Sequence, residues 1–351
     1  MQITSAGFLL LSEMFLDRLR LGIVGYGDAA VSFVTAAHFL KDWSPVAVGG
    51  RNMDKASAFA GKYEIAARTV EEIAESPDID VVAIATPPGV HLQDTLTCLA
   101  GGKQMIVEKP IALTVEDCDR MIQAAQQADR LLMVAQTHRF YQSEIRIREL
   151  VVSGELGRLL MLEDTQIFDY FGPKRIGWQL DPALSGGGVV MNPTIHYTDR
   201  FRYFAGSEVK SVRALLGAAR QDYEIEGHTH VLYTFEDKAL SAALTQSGYG
   251  QSELDRTRLY FDRGMIQLDF YDNRISIFTD GKLLRTESPK PEPFGENRLN
   301  QGYVRQFVEF GKSIRGGAPL RSDGANGRAN VAICLAIFES AARGVEVYPG
   351  L

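Results

Sequence analysis

The chain has 351 residues and a formal net charge of −7, with 45% hydrophobic and 23% charged residues. These proportions fit about two globular domains of ~150 residues each, and they exclude collagen-like, disordered and disulfide-dense chains. The acidic balance argues against nucleic acid or an anionic membrane as partner, and the chain lacks the run of ~18 apolar residues that a spanning helix needs.

Residues 1–18 read as an extension ahead of the first strand. The apolar patch Gly7 to Leu11 lacks the basic flank and small-residue cleavage site of a signal peptide, and Glu13 and Asp17 follow closely. Met14 is a second candidate start. Strand and helix signals then alternate. Short apolar runs at Leu19–Val24, Pro45–Gly49, Ile79–Ala85, Met105–Val107 and Leu131–Ala135 predict five strands. Between them the pattern predicts helices from Asp28 to about Leu40, from Asp54 (read as the cap) through Ala60, from Val90 to Ala100, and from Thr114. Alternation of this kind requires right-handed crossovers and a parallel sheet, a doubly wound Rossmann domain over residues 19–139. Cys98, Cys118 and Cys334 are far apart and form no CxxC pair, which suits reduced core thiols in a cytoplasmic protein.

The rhythm changes near residue 140. A helix from Glu144 to Ser153 stops at Gly154. Alternating segments follow at Leu159–Asp164, Val209–Leu216, Thr229–Thr234, Ala239–Gln246, Arg258–Asp262, Met265–Asp269 and Arg274–Thr279. Two helices, about Gly302–Arg315 and Asn326–Ala342, close the chain. Residues 140–351 therefore read as an α+β domain with a large, mostly antiparallel sheet. His228 and His230 share one strand face without a third ligand nearby, so no metal site is expected.

Five segments can carry chemistry. Gly25-Tyr26-Gly27-Asp28-Ala29-Ala30 follows a strand and opens a helix, the context in which glycines admit a pyrophosphate to a helix N-terminus. After the second strand, Gly49-Gly50-Arg51-Asn52 offers no carboxylate for a ribose 2′-hydroxyl. Arg51, with Lys55 a turn later, either meets a 2′-phosphate, which favours NADP over NAD, or stacks on the adenine. Thr86-Pro87-Pro88-Gly89-Val90-His91 follows the third strand, where His91 either reaches the cofactor or packs. Glu108-Lys109-Pro110 lies at the same rim, where a lysine can donate to a substrate oxygen. Last comes Ser185-Gly186-Gly187-Gly188, running on through Asn192 to His196; if helical, the latter two face one side, a histidine beside a polar orienter.

Together these segments resemble the Gfo/Idh/MocA oxidoreductases, from about Leu19 to Val347. Supporting marks are Asp199, Gln136-Thr137-His138-Arg139-Phe140, Ser153-Gly154-Glu155-Leu156-Gly157 and Ser340-Ala341-Ala342. The resemblance implies that Lys109 contacts the reacting hydroxyl or carbonyl and that His196 is the acid/base. It also implies cofactor contacts from Glu108, Lys109 and Gln136, and a substrate site at His138, Arg139, Trp178 and Asn192. One position departs. Family dehydrogenases usually carry aspartate four residues before the histidine, and here Asn192 stands there, with Thr194 in place of a glycine. Asparagine supplies no negative charge to Lys109 or His196, though it can hydrogen-bond a sugar hydroxyl or orient the imidazole.

The expected function is hydride transfer between NADP, or NAD, and a sugar, polyol or related hydroxyl/carbonyl compound. Two other readings stand beside it, a non-catalytic dinucleotide-sensing regulator and a nicotinamide-dependent glycosidase. The resemblance further implies a homodimer or homotetramer that buries the open face of the second sheet. Specificity is expected in the loop Phe168 to Leu184 and on that sheet.

Overall fold

A computed structural model describes residues 18–172, 175, 177–218, 224–290 and 298–351; the expected extension, apart from Arg18, lies outside them. The first sheet contains β1 (Leu19–Val24), β2 (Trp43–Gly49), β3 (Ala66–Arg68), β4 (Val81–Ile84), β5 (Gln104–Glu108) and β6 (Leu132–Ala135). All are parallel, in the order β3-β2-β1-β4-β5-β6. The order reverses between β1 and β4, and the crevice above their carboxyl ends is where such sheets bind ligands. The expected strands are present. β3 is an addition: three residues long and alanine-rich, it has no apolar run to announce it, and it pairs only along the edge of β2.

Helix starts follow side-chain chemistry. Thr114 accepts from the Asp117 N–H at 3.1 Å, as its position suggested. The helix Met53–Tyr63 starts earlier than expected, because Asn52 rather than Asp54 is the cap, accepting from the Lys55 N–H at 2.9 Å. Asp54 instead lies in the first turn, where its charge suits the positive end of the helix dipole.

The second sheet has eight strands among the described residues, ordered β14-β13-β12-β11-β7-β10-β9-β8. They are β7 (Leu159–Asp169), β8 (Val209–Ala218), β9 (Glu226–Phe235), β10 (Ser241–Ser247), β11 (Tyr249–Phe261), β12 (Gly264–Asp269), β13 (Arg274–Thr279) and β14 (Lys282–Glu287). Only β7 and β10 pair in parallel. β11 begins nine residues earlier than the expected Arg258, and β14 was not expected. One face packs on the helices Ile195–Ala205 and Gly324–Arg343 through Leu162, Val212, Val231, Leu244, Phe201 and Ile337, all buried. The opposite face shows Met161, Leu215, His230 and Leu232 to solvent.

The helix Arg298–Gly316 belongs by sequence to the second half but packs on the first sheet's layer. Val304, Phe307 and Phe310 share a core with Leu21, Phe33 and Trp43. The Trp43 and Phe307 rings lie 4.6 Å apart, and Phe33 meets Tyr303 edge-on at 5.3 Å.

Candidate active site

A cleft of about 670 Å³ opens over the carboxyl ends of β1, β4 and β5. At one end lies the glycine turn. Gly25 has φ +115°, and a Cβ there would stand 2.5 Å from the Ala85 carbonyl oxygen, so only glycine fits between β1 and β4. Gly27 is the N-cap of the helix Asp28–Phe39 and provides no side-chain cap, while the space a Cβ would take at Gly27 is open. The N–H groups of the first turn are thus offered to an anion arriving from the cleft. Tyr26, Asp28, Ala29, Arg51, Lys55, Thr86 and Pro87 line the same end. The residues present fit a dinucleotide.

Lys109 marks the other end, with Glu108, Trp178 and Asn192 also on the wall. The Lys109 Nζ donates to the Asn192 carbonyl at 3.0 Å and to Asn192 Oδ1 at 2.9 Å. Burial pulls its pKa down to about 8, against the opposing charge of Glu108 and with help from Arg175. Glu108 faces elsewhere. Its carboxyl accepts from the Tyr303 hydroxyl at 2.7 Å and from the Lys109 N–H at 3.0 Å, and burial raises its pKa.

Asn192 is presented by a segment that differs from the expected α-helical start. Val190–Thr194 forms a π-turn. Pro193 has no N–H to give the Val189 carbonyl, and the Thr194 N–H one residue later takes it at 2.9 Å. Glu226, which sequence reasoning missed, braces this turn. Its carboxylate accepts from the Gly188 N–H at 3.0 Å and the Val190 N–H at 2.7 Å, and a Cβ on Gly188 would meet the Glu226 carbonyl oxygen at 2.1 Å.

His196 is half-buried and is not among the residues lining the cleft. Its ring stacks on His138 with centroids 4.3 Å apart and planes 9° from parallel, and its buried Nδ1 has no hydrogen-bond partner among the described residues. Burial, then the charges of Lys109 and Arg200, hold its pKa far below the usual histidine value, so the ring is neutral at pH 7.

Four residues expected at the ligands are held away from the lining by other partners or by burial. His91 takes the packing alternative. Fully buried, it sets Nδ1 3.0 Å from the Pro110 carbonyl and Nε2 2.7 Å from the Thr86 carbonyl, and so ties the two rim loops together. Arg139 is committed to the buried Asp199 at 2.7 Å, a carboxylate that also accepts from Asn326 and Asn330. His138 Nδ1 accepts from the Arg200 guanidinium at 3.1 Å. Arg200 is itself buried against Glu144, Asp164 and Asp255 at 3.3, 3.1 and 3.5 Å. Gln136, at the end of β6, is fully buried with neither amide atom paired among the described residues. Sequence reasoning also missed Tyr170, whose hydroxyl lies 3.5 Å from Asn192 Nδ2, and Gln179 on the cleft wall, although both fall in the loop expected to set specificity.

The family model described as "Oxidoreductase family, NAD-binding Rossmann fold" matches residues 19–136, and "GFO/IDH/MocA C-terminal domain" matches residues 145–267. The 1-carboxy-3-chloro-3,4-dihydroxycyclo hexa-1,5-diene dehydrogenase of Comamonas testosteroni is 34% identical over 241 residues, 68% of this chain but only 60% of that protein. The myo-inositol 2-dehydrogenase of Thermotoga maritima is 25% identical over 319 residues, 88% of this chain and 92% of its own length. Among solved structures, a levoglucosan dehydrogenase in complex with NADH and L-sorbose superposes with a TM-score of 0.87 at 20% identity, covering 95% of this chain and 99% of that one. The glycine turn, the Glu108-Lys109-Pro110 rim, the second sheet and both matching halves have one explanation: the chain belongs to the Gfo/Idh/MocA oxidoreductase family.

Proposed function

We propose that this chain is an NAD(P)-dependent oxidoreductase acting on the hydroxyl or carbonyl carbon of a sugar, polyol or hydroxylated ring. The observation that carries this reading is Lys109, an amine with its pKa near 8, in one cleft with a glycine-capped helix N-terminus. Gly25, Tyr26, Gly27, Asp28, Ala29, Arg51, Lys55, Thr86 and Pro87 would hold the cofactor. The chemistry a nicotinamide supplies there is hydride acceptance or donation. Lys109 exchanges a proton with the substrate oxygen and steadies its charge as it develops. Neutral His196 accepts the proton passed on from that oxygen. Relatives named for a carboxylated dihydroxy ring and for myo-inositol support an alcohol carbon as the reacting centre. We read the boundary between the two units near residue 139, where the family models also divide.

Arg51 supports NADP over NAD, because it is an exposed cation on the wall beside the glycine turn. The test is a panel of sugars, polyols and cyclic diols with either cofactor, read at the reduced-nicotinamide absorbance. Arg51→Ala is expected to weaken NADP roughly tenfold more than NAD, as loss of a charge-assisted contact would. Equal weakening assigns Arg51 to adenine stacking. Tight cofactor binding without turnover of any alcohol replaces the enzyme by a regulator.

The open sheet face with Leu215 and Leu232, 70% and 60% exposed, supports a homodimer or homotetramer. Light scattering at micromolar concentration is expected to give two or four chain masses, and Leu232→Arg to lower that number. A single-chain mass for the unaltered protein refutes the assembly. Three free, buried cysteines support a cytoplasmic setting.

A further inference from the structure

Lys109 brings positive charge to the substrate end of the cleft, opposed there by the buried Glu108, and a second cation stands nearby. Among the described residues, Lys109 Nζ donates only to the neutral oxygens of Asn192. Glu108 is turned to Tyr303, and Glu226 is occupied by the backbone of the glycine run. The second cation, Arg175, is not on the cleft lining but adjoins Asn192 through Tyr170. Arg175 Nε donates to the Tyr170 carbonyl at 2.7 Å, and its guanidinium carbon lies 3.9 Å from the centroid of the Tyr170 ring. The hydroxyl of that same ring reaches Asn192. The half-buried Arg175 forms no ion pair within 4.0 Å of a carboxylate among the described residues, and Asp169 acts on it only through space. Its charge is nonetheless felt at Lys109. A ring face compensates a partly buried cation only in part, and the remaining cost of its burial is relieved by an anion. Trp178 on the adjoining wall offers an apolar plate for a ring.

We infer that this site takes an anionic substrate, a hydroxylated ring or chain that also bears a carboxylate, with the carboxylate paired to Arg175 and a hydroxyl at Lys109. The inference rests on the catalytic reading above and names the substrate class within it. Tyr170 and Arg175 then determine charge selection, and the neutral Asn192 is part of the same design, since an aspartate there would repel the substrate's carboxylate.

The test compares matched pairs, quinate against myo-inositol and gluconate against sorbitol. Calorimetric titration into the full-length, cofactor-loaded protein is expected to show at least one carboxylate bound tenfold or more tightly than its uncharged counterpart. Arg175→Gln is expected to remove that preference and Arg175→Lys to keep most of it, with cofactor titration reporting that each variant is folded. Absence of binding by either carboxylate, or a preference that survives Arg175→Gln, overturns the inference. Where the pair is also turned over, the ratio of kcat/KM values is expected to follow the binding ratio. Selective carboxylate binding without any nicotinamide reduction upholds the anion site and rejects the catalytic reading, so the two fail separately.

Discussion

Replacing Lys109 with alanine is expected to lower kcat/KM by roughly 10²–10⁴-fold, the span typical of a positioned proton-transfer group, while cofactor affinity stays within about twofold. The side chain ends on Asn192, on the far side of the cleft from the glycine turn, so its loss leaves the dinucleotide end in place. The pH profile carries the sharper signature. With the amine titrating at about 8, the neutral form that accepts a proton from an alcohol predominates above that pH. Alcohol oxidation by the unaltered protein should therefore rise through an inflection near pH 8 and level off, and carbonyl reduction should fall through the same inflection. Rates that ignore pH between 7 and 9, or an alanine variant that loses the cofactor but keeps turnover, would place Lys109 in another role.

The second large effect is expected at His196. Its ring is held by the His138 stack and enters the reaction as the neutral imidazole, a base weakened by burial and by the charges of Lys109 and Arg200. His196→Ala is expected to lower kcat by about 10²-fold. Asn192→Ala should cost roughly tenfold, the loss of a hydrogen bond to a charged amine. Asn192→Asp separates geometry from charge. It would set a carboxylate at the position of an oxygen now 2.9 Å from the Lys109 amine. An opposite charge that close raises an amine's pKa by about 1–3 units, so the inflection in oxidation should move from about 8 to higher pH. If His196→Ala and Asn192→Asp both leave rate and profile unchanged, the acid/base group lies elsewhere.

The cofactor end was legible in the sequence because its chemistry is local. A strand, a Gly25-Tyr26-Gly27 turn and a helix start are consecutive, and backbone geometry does the rest. Lys109 was legible for the same reason, at the end of a buried strand. The substrate end depends on contacts between distant segments. His138 and Arg139 sit in a segment expected to meet substrate, yet their partners, Arg200 and Asp199, come from a helix about sixty residues on, and Arg200 is in turn paired to Asp164 and Asp255 on two strands of the second sheet. No local pattern distinguishes an arginine bound for such a cluster from one bound for solvent. Glu226 was invisible for a related reason, since its acceptors' partners are main-chain N–H groups 36 and 38 residues earlier. The π-turn follows from Pro193 only once the helix around it is known.

The helix Arg298–Gly316 sets an order on how the molecule can be made. The core beneath the first sheet stays open until Val304, Phe307 and Phe310 arrive, because these side chains fill the space against Phe33 and Trp43. Each deeply buried phenylalanine contributes about 1.5–3 kcal/mol, a sizeable share of a marginally stable domain. During synthesis the amino-terminal sheet can therefore gain its full stability only after the helix Arg298–Gly316 has left the ribosome, and fragments ending before residue 298 should expose an apolar flank to chaperones and proteases.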